Sequence, residues 1–151
     1  MIAIAAIACL GLAAGAAAAT PSPAAYRTHL NAVCRSYTPG LDRAEASLSK
    51  AQKANDARGL GIAIGQLLGL GLAEDAKIVG TPVPAAMQAQ MAPILSRLRT
   101  IDAHARLAIS KAAAGDGKGM GAELAEIGRL SSGLNKRLDA AGLRDCGSNQ
   151  S

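Results

Sequence analysis

Few side chains in this 151-residue chain are equipped for chemistry: it has three cysteines and two histidines. Cys9 lies inside an apolar N-terminal run, and removing that run leaves Cys34 and Cys146. An even pair of this kind suits a disulfide in an oxidising compartment. The histidines, His29 and His104, are the only imidazoles available to hold a metal. On the helices expected below, His29 falls near Cys34 while His104 lies some 20 residues, about 30 Å, along another rod. They cannot share one ion. No carboxylate has a histidine three residues later, and no Cys-x-x-Cys-His occurs, so the helical di-iron and covalent haem signatures are absent. His29 with Met87 or Met91 is the one pairing that would suit haem; core packing is the commoner use of such methionines. No cofactor or metal is expected.

Two glycine-rich stretches invite comparison with phosphate loops. Gly115-Asp-Gly-Lys-Gly119 lacks the Ser or Thr that must follow Gly-Lys, and Gly59-x-Gly61 has no strand before it. Asp116 fits better as a turn or capping residue. Arg97, His104 and Lys111 recur every seventh residue along one helix flank, a weak candidate for lining an anion-binding groove. A solvated charged edge explains the same spacing more simply. Glu74 with Lys77 and Asp102 with Arg106 have the spacing of surface helix pairs. No acid and base converge on a nucleophile, so no catalytic residues are assigned and an enzyme is disfavoured.

The elements that would position these residues follow from composition. Half the chain is apolar, yet it has no Phe, no Trp and only two tyrosines, Tyr26 and Tyr37. A core of Leu, Ile, Val, Met and Ala suits closely approaching helices better than a sheet. Residues 1–19 carry no charge and end in four alanines before Thr20-Pro21-Ser22, which reads as a signal peptide cleaved after Ala19. An uncleaved N-terminal membrane anchor is the alternative reading of that run. The remaining 20–151 form one domain, placed outside the cytoplasm as a secreted or cell-envelope protein. Its net charge is +5. Export and the lack of interleaved aromatic residues argue against nucleic acid, leaving anionic lipid, an envelope polymer or an envelope protein as partners.

Four helices are expected. The first, about 23–55, begins at Ser22 and Pro23 and carries a kink at Thr38-Pro39-Gly40, where Pro39 cannot donate. The second, about 57–79, repeats small residues at Ala57, Gly61, Gly65, Gly69 and Ala73. That stripe suits close approach of a neighbouring backbone inside a bundle, and Gly61, Gly65 and Gly69 offer the same face for self-association. The third spans about 84–113 and the fourth about 119–141, with Gly142 as its C′ residue. Rods of matched length with short connections make an up-down-up-down four-helix bundle, all-α, in which the tail returns beside the first helix. Cys146 then meets Cys34. Closing a loop of that size contributes about 4.7 kcal/mol in the chain-entropy model.

Tyr26, Asn31-Ala-Val-Cys34-Arg35, the Ala114-Gly-Asp116 turn and the terminal Ala141-Gly-Leu-Arg-Asp-Cys-Gly147 together resemble uncharacterised secreted, Ala-rich helical proteins of high-GC actinobacteria. The resemblance implies export, a helical bundle and a disulfide, and carries no activity. The functional expectation is therefore a non-enzymatic exported bundle, a binding or structural component of the cell envelope. The alternative is a small-ligand or haem carrier.

Overall fold

The computed structural model describes residues 21–148, so the apolar N-terminal run and its cleavage position lie outside the described residues. The described chain is all-α. Helix α1 covers Pro23–Lys53, α2 Ala57–Gly80, α3 Gln88–Ala113, α4 Gly117–Ser131 and α5 Leu134–Ala140, with 3-10 turns at Ala85–Met87 and Arg144–Cys146. None of these helices is long and apolar enough to cross a membrane.

Helix starts follow side-chain caps. Ser22 accepts from the Ala25 amide at 3.2 Å, with Pro23 next in sequence, where its missing amide hydrogen loses nothing. Helix α1 continues through Pro39, which cannot donate to Arg35; one residue earlier, the Thr38 hydroxyl donates to the Cys34 carbonyl at 3.3 Å. The two hairpin turns share one construction. Asn55 (φ 51°) and Gly115 (φ 73°) take the left-handed conformation, and each precedes an aspartate N-cap. Asp56 accepts from the Gly59 amide at 2.9 Å, and Asp116 from the Gly119 amide at 2.8 Å. A side chain at Gly119 would collide with the capping carboxylate, its Cβ falling 2.2 Å from Asp116 Oδ2.

The fourth rod, expected unbroken to residue 141, is interrupted. Ser132 is extended (ψ 122°) and Gly133 adopts φ 74°, a region open to glycine at little steric cost. The break separates α4 from α5. Leu134 and Leu138 of α5 are buried nonetheless, beside the 3-10 turn that carries Cys146. With α4 and α5 taken as one broken rod, four helical rods run up-down-up-down, and Cys34 is bonded to Cys146 with their Cα atoms 5.1 Å apart.

The core lies at the disulfide end. It contains Tyr26, Leu30, Cys34, Ile78, Met87, Met91, Ile94, Leu98, Leu138 and Leu143, drawn from every rod. Towards the hairpin turns, the buried apolar residues of α1, α2 and α3 are alanines: Ala44, Ala51, Ala63, Ala105 and Ala108. They mark seams where α1 packs on α2 and α3 on α4. Their larger neighbours Leu41, Leu48, Ile64, Leu124 and Ile127 are half-buried, and Ile62, Leu107 and Ile109 are exposed. The molecule thus consists of two helical hairpins joined along α2 and α3 and clasped at one end.

The small-residue stripe of α2 does not face a neighbour within the chain. Gly61, Gly65 and Gly69 are exposed, and a Cβ added to any of them would meet nothing within 4 Å. The reason is that α2 meets α1 through Ala63 and the core through Ile78, which turns its glycine edge outward.

Candidate functional site

The clasp is built where the tail returns to α1. After α5, Gly142 (φ 80°) donates to the Asp139 carbonyl and Leu143 to the Leu138 carbonyl, both at 2.9 Å. This Schellman arrangement turns Leu143 into the core, where it is fully buried. Three residues of α1 then hold the tail. Arg27 Nε donates to the Ala141 carbonyl (2.8 Å), and Asn31 donates to the Gly142 carbonyl (3.0 Å) while accepting from the Asp145 amide (3.1 Å). Arg35 forms an ion pair with Asp145. Arg27, Asn31 and Arg35 recur every fourth residue, so one face of α1 reads the tail's backbone beside the disulfide.

Against the clasp sits the least expected group in the molecule, a set of carboxyls on the seam between α2 and α3. Glu74, which its spacing from Lys77 marks as a surface residue, is 6% exposed. A carboxylate oxygen of Glu74 and the sulfurs of Cys34 and Cys146 all lie within 4.8 Å of one another. Those sulfurs are bonded to each other, so they are not thiolates able to ligate a metal. Asp75, the next residue, hydrogen-bonds Asp102 of α3. Burial, reinforced by that hydrogen bond and by the charges of Asp102 and Glu74, pushes Asp75 up to about 8. That shift favours its protonated form, in which it can donate to its neighbour.

Glu74 and Asp75 border a cavity of about 160 Å³ lined further by Ile78, Leu98, Ser131, Asn135 and Cys146. No basic side chain lines it. Water-sized guests fit there.

The heptad of Arg97, His104 and Lys111 does come to lie on one flank, and that flank faces α4. Arg97 donates to the Ser132 carbonyl at 3.3 Å, His104 Nδ1 lies 2.6 Å from Glu123 Oε2, and Lys111 Nζ lies 3.3 Å from Asp116 Oδ2. Each residue bridges the α3–α4 hairpin at a different height, so the trio is spread along a seam. The amide of Gly119, then Lys111, hold the Asp116 carboxyl below its usual range. Next along α4, Arg129 does the same for Glu126 through a two-pronged hydrogen bond. His29 is exposed on α1 whereas Met87 and Met91 are buried, so the haem pairing available in sequence is not assembled.

A separate surface feature runs along the α1–α2 hairpin. Gly40, Arg43, Ala44, Ser47, Gln66, Gly69 and Leu70 line a groove of about 570 Å³. A second depression of about 320 Å³ continues it past Ser47 and Gln66 to Lys50, Ala51, Ile62 and Ala63. The floor is apolar. Arg43 and Lys50, two helical turns apart, stand along the α1 wall.

The fold and site define a class: a disulfide-clasped, all-α pair of helical hairpins. No family model, curated protein or solved structure matches this chain.

Proposed function

We propose that this chain is an exported, non-enzymatic helical scaffold of the cell envelope that holds a protein partner in the α1–α2 groove. One observation carries the reading: the arm beyond the clasp buries alanines and leaves leucine and isoleucine flanks half-covered beside a groove with an apolar floor. Apolar surface left at the mouth of a groove is where partner burial contributes most. The groove's form suggests the occupant. A depression running from Gly40 to Ala54 follows about 21 Å of helix, the length of four turns, and its wall carries Arg43 and Lys50. An amphipathic segment with acidic residues along one edge matches that arrangement.

Export rests on the uncharged N-terminal run and on the cysteine pair, whose bond persists best in an oxidising compartment. The test is site-specific photo-crosslinking in the native host. A crosslinker replacing Ser47, on the groove wall, is expected to capture a discrete protein that the same probe at exposed Ala32 does not. Arg43→Glu with Lys50→Glu should abolish the adduct. Identical adducts from both positions, or none from Ser47, would refute the reading.

A further inference from the structure

We propose that the clasp is also a redox-gated zinc site: once the Cys34–Cys146 bond is reduced, the two thiolates and the Glu74 carboxylate bind one Zn²⁺, which then ties the tail to α1 in place of the covalent bond. The placement carries the inference. A carboxylate oxygen of Glu74 and both sulfurs lie within 4.8 Å of one another, and all three residues are buried. They come from α2, α1 and the 3-10 turn of the tail, so a shared ion would join three separate elements. A carboxylate can keep a hydrogen-bond partner on one lone pair and still offer another to a metal.

Donor chemistry selects the ion. Two thiolates and one carboxylate suit a borderline-soft divalent cation in tetrahedral coordination, whereas Ca²⁺ and Mg²⁺ take oxygen ligands. Tetrahedral zinc holds thiolates at about 2.3 Å and therefore sets two sulfurs about 3.8 Å apart, so the reduced pair must separate by roughly 2 Å. The cavity of about 160 Å³ supplies that space, because Cys146 and Glu74 both line it, and it admits a water as fourth ligand. Asp75 is its other charged lining residue, and no lysine, arginine or histidine lines it, so its wall attracts a cation.

The chemistry balances with a dithiol as reductant. Thiol–disulfide exchange breaks the Cys34–Cys146 bond, the dithiol supplies two electrons and two protons, and the products are two protein thiols and a disulfide in the reductant. Zinc then displaces both thiol protons, which pass to solvent. The clasp's other contacts keep the ligands together while the bond is open, since Arg27 and Asn31 hold the backbone of Ala141, Gly142 and Asp145 against α1. The inference rests on the clasp alone and is independent of the groove.

Cobalt titration of the reduced chain tests it, in a Cys9→Ser background that leaves only these two cysteines. After reduction with a phosphine, which competes for the metal far less than a dithiol does, one equivalent of Co²⁺ is expected to bind with thiolate charge-transfer absorption and the visible bands of tetrahedral cobalt. One equivalent of Zn²⁺ should displace the cobalt and slow alkylation of both thiols at least tenfold. The oxidised chain should show neither effect. Glu74→Gln should weaken cobalt binding at least tenfold, the loss that even an outer-shell partner brings, while still forming the disulfide on oxidation, which shows that the variant folds. Glu74→Leu, an apolar replacement at this buried position, is the second variant should the amide be poorly accommodated. A reduced chain without thiolate–cobalt absorption overturns the proposal. So does a cobalt affinity unchanged by loss of the carboxylate, or a spectrum that persists in denaturing urea, where the fold no longer brings the two cysteines together.

Discussion

The two ends of this bundle are made of the same residue types and differ in what those residues bury. At the clasp, Tyr26, Leu30, Met91, Ile94 and Leu143 are at most 1% exposed, while at the hairpin turns Ile62 is 55% exposed and Leu107 47%. Full burial of a large aliphatic side chain stabilises by about 1.5–3 kcal/mol, so the clasp holds most of the packing energy. The turns hold their shape locally, through aspartate caps and alanine seams. Stability and surface have been divided between opposite ends of the same rods. A chain arranged in this way can present open apolar flanks because its integrity is secured elsewhere.

The harshest way to break this division is to remove the clasp. Cys34 and Cys146 are separated by 112 residues, and their bond contributes about 4.7 kcal/mol through the unfolded chain's lost freedom. Urea denaturation of Cys34→Ser with Cys146→Ser, against the oxidised wild type, is expected to show a loss of that order. A midpoint that hardly moves would mean that the core at this end stands without it.

Truncation at the two ends sharpens the contrast next. Met91→Ala removes a fully buried side chain and should cost about 2–5 kcal/mol. Ile62→Ala, at an exposed site, should shift stability by no more than about 0.5 kcal/mol. Equal losses from the two substitutions, measured by chemical denaturation, would erase the distinction drawn here.

A pH-dependent effect belongs to the seam between the ends. Asp75 has its folded-state value raised from 3.8 to about 8, so the unfolded chain gives up this proton in a range where the folded chain keeps it. Its contribution is thus most favourable below about pH 4 and declines by up to about 1.4 kcal/mol per pH unit towards pH 8, beyond which it is constant. Thermal melts of wild type and Asp75→Asn across this range should converge at low pH and separate as pH rises. Parallel curves would show that Asp75 ionises alike in both states.

Much of the architecture was legible because it rests on local signals. Ser22 and Pro23 start a helix for reasons internal to four residues, and Gly142 ends one in the same way. The cysteine pairing followed from rod lengths, which add along the chain. The proximity of Asp75 to Asp102 was not legible. Glu74 and Asp102 each have a basic residue one turn away, and only the meeting of α2 with α3 shows that Asp102 faces Asp75 instead. The break at Gly133 was hidden for a related reason. Leu130, Leu134 and Leu138 keep a spacing of four straight through it, and the pattern does not register that one glycine has left the helix. The Arg97, His104 and Lys111 spacing correctly placed three groups on one flank, but spacing alone cannot tell a flank facing solvent from one facing the next helix.

The glycine stripe of α2 supplies the finest test, because its outcome has opposite signs under two arrangements. Gly65 is helical and exposed, and an added Cβ would meet nothing within 4 Å. In an isolated chain, Gly65→Ala should therefore stabilise α2 by about 0.5–1 kcal/mol, through helix propensity and a less free unfolded state. If Gly61, Gly65 and Gly69 instead seat a second copy, the methyl group would hold the two backbones apart and weaken association. Equilibrium sedimentation beside denaturation separates the cases. A monomer that becomes more stable assigns the stripe to an open edge, whereas a wild-type dimer that loosens on this substitution would place part of the missing packing between chains.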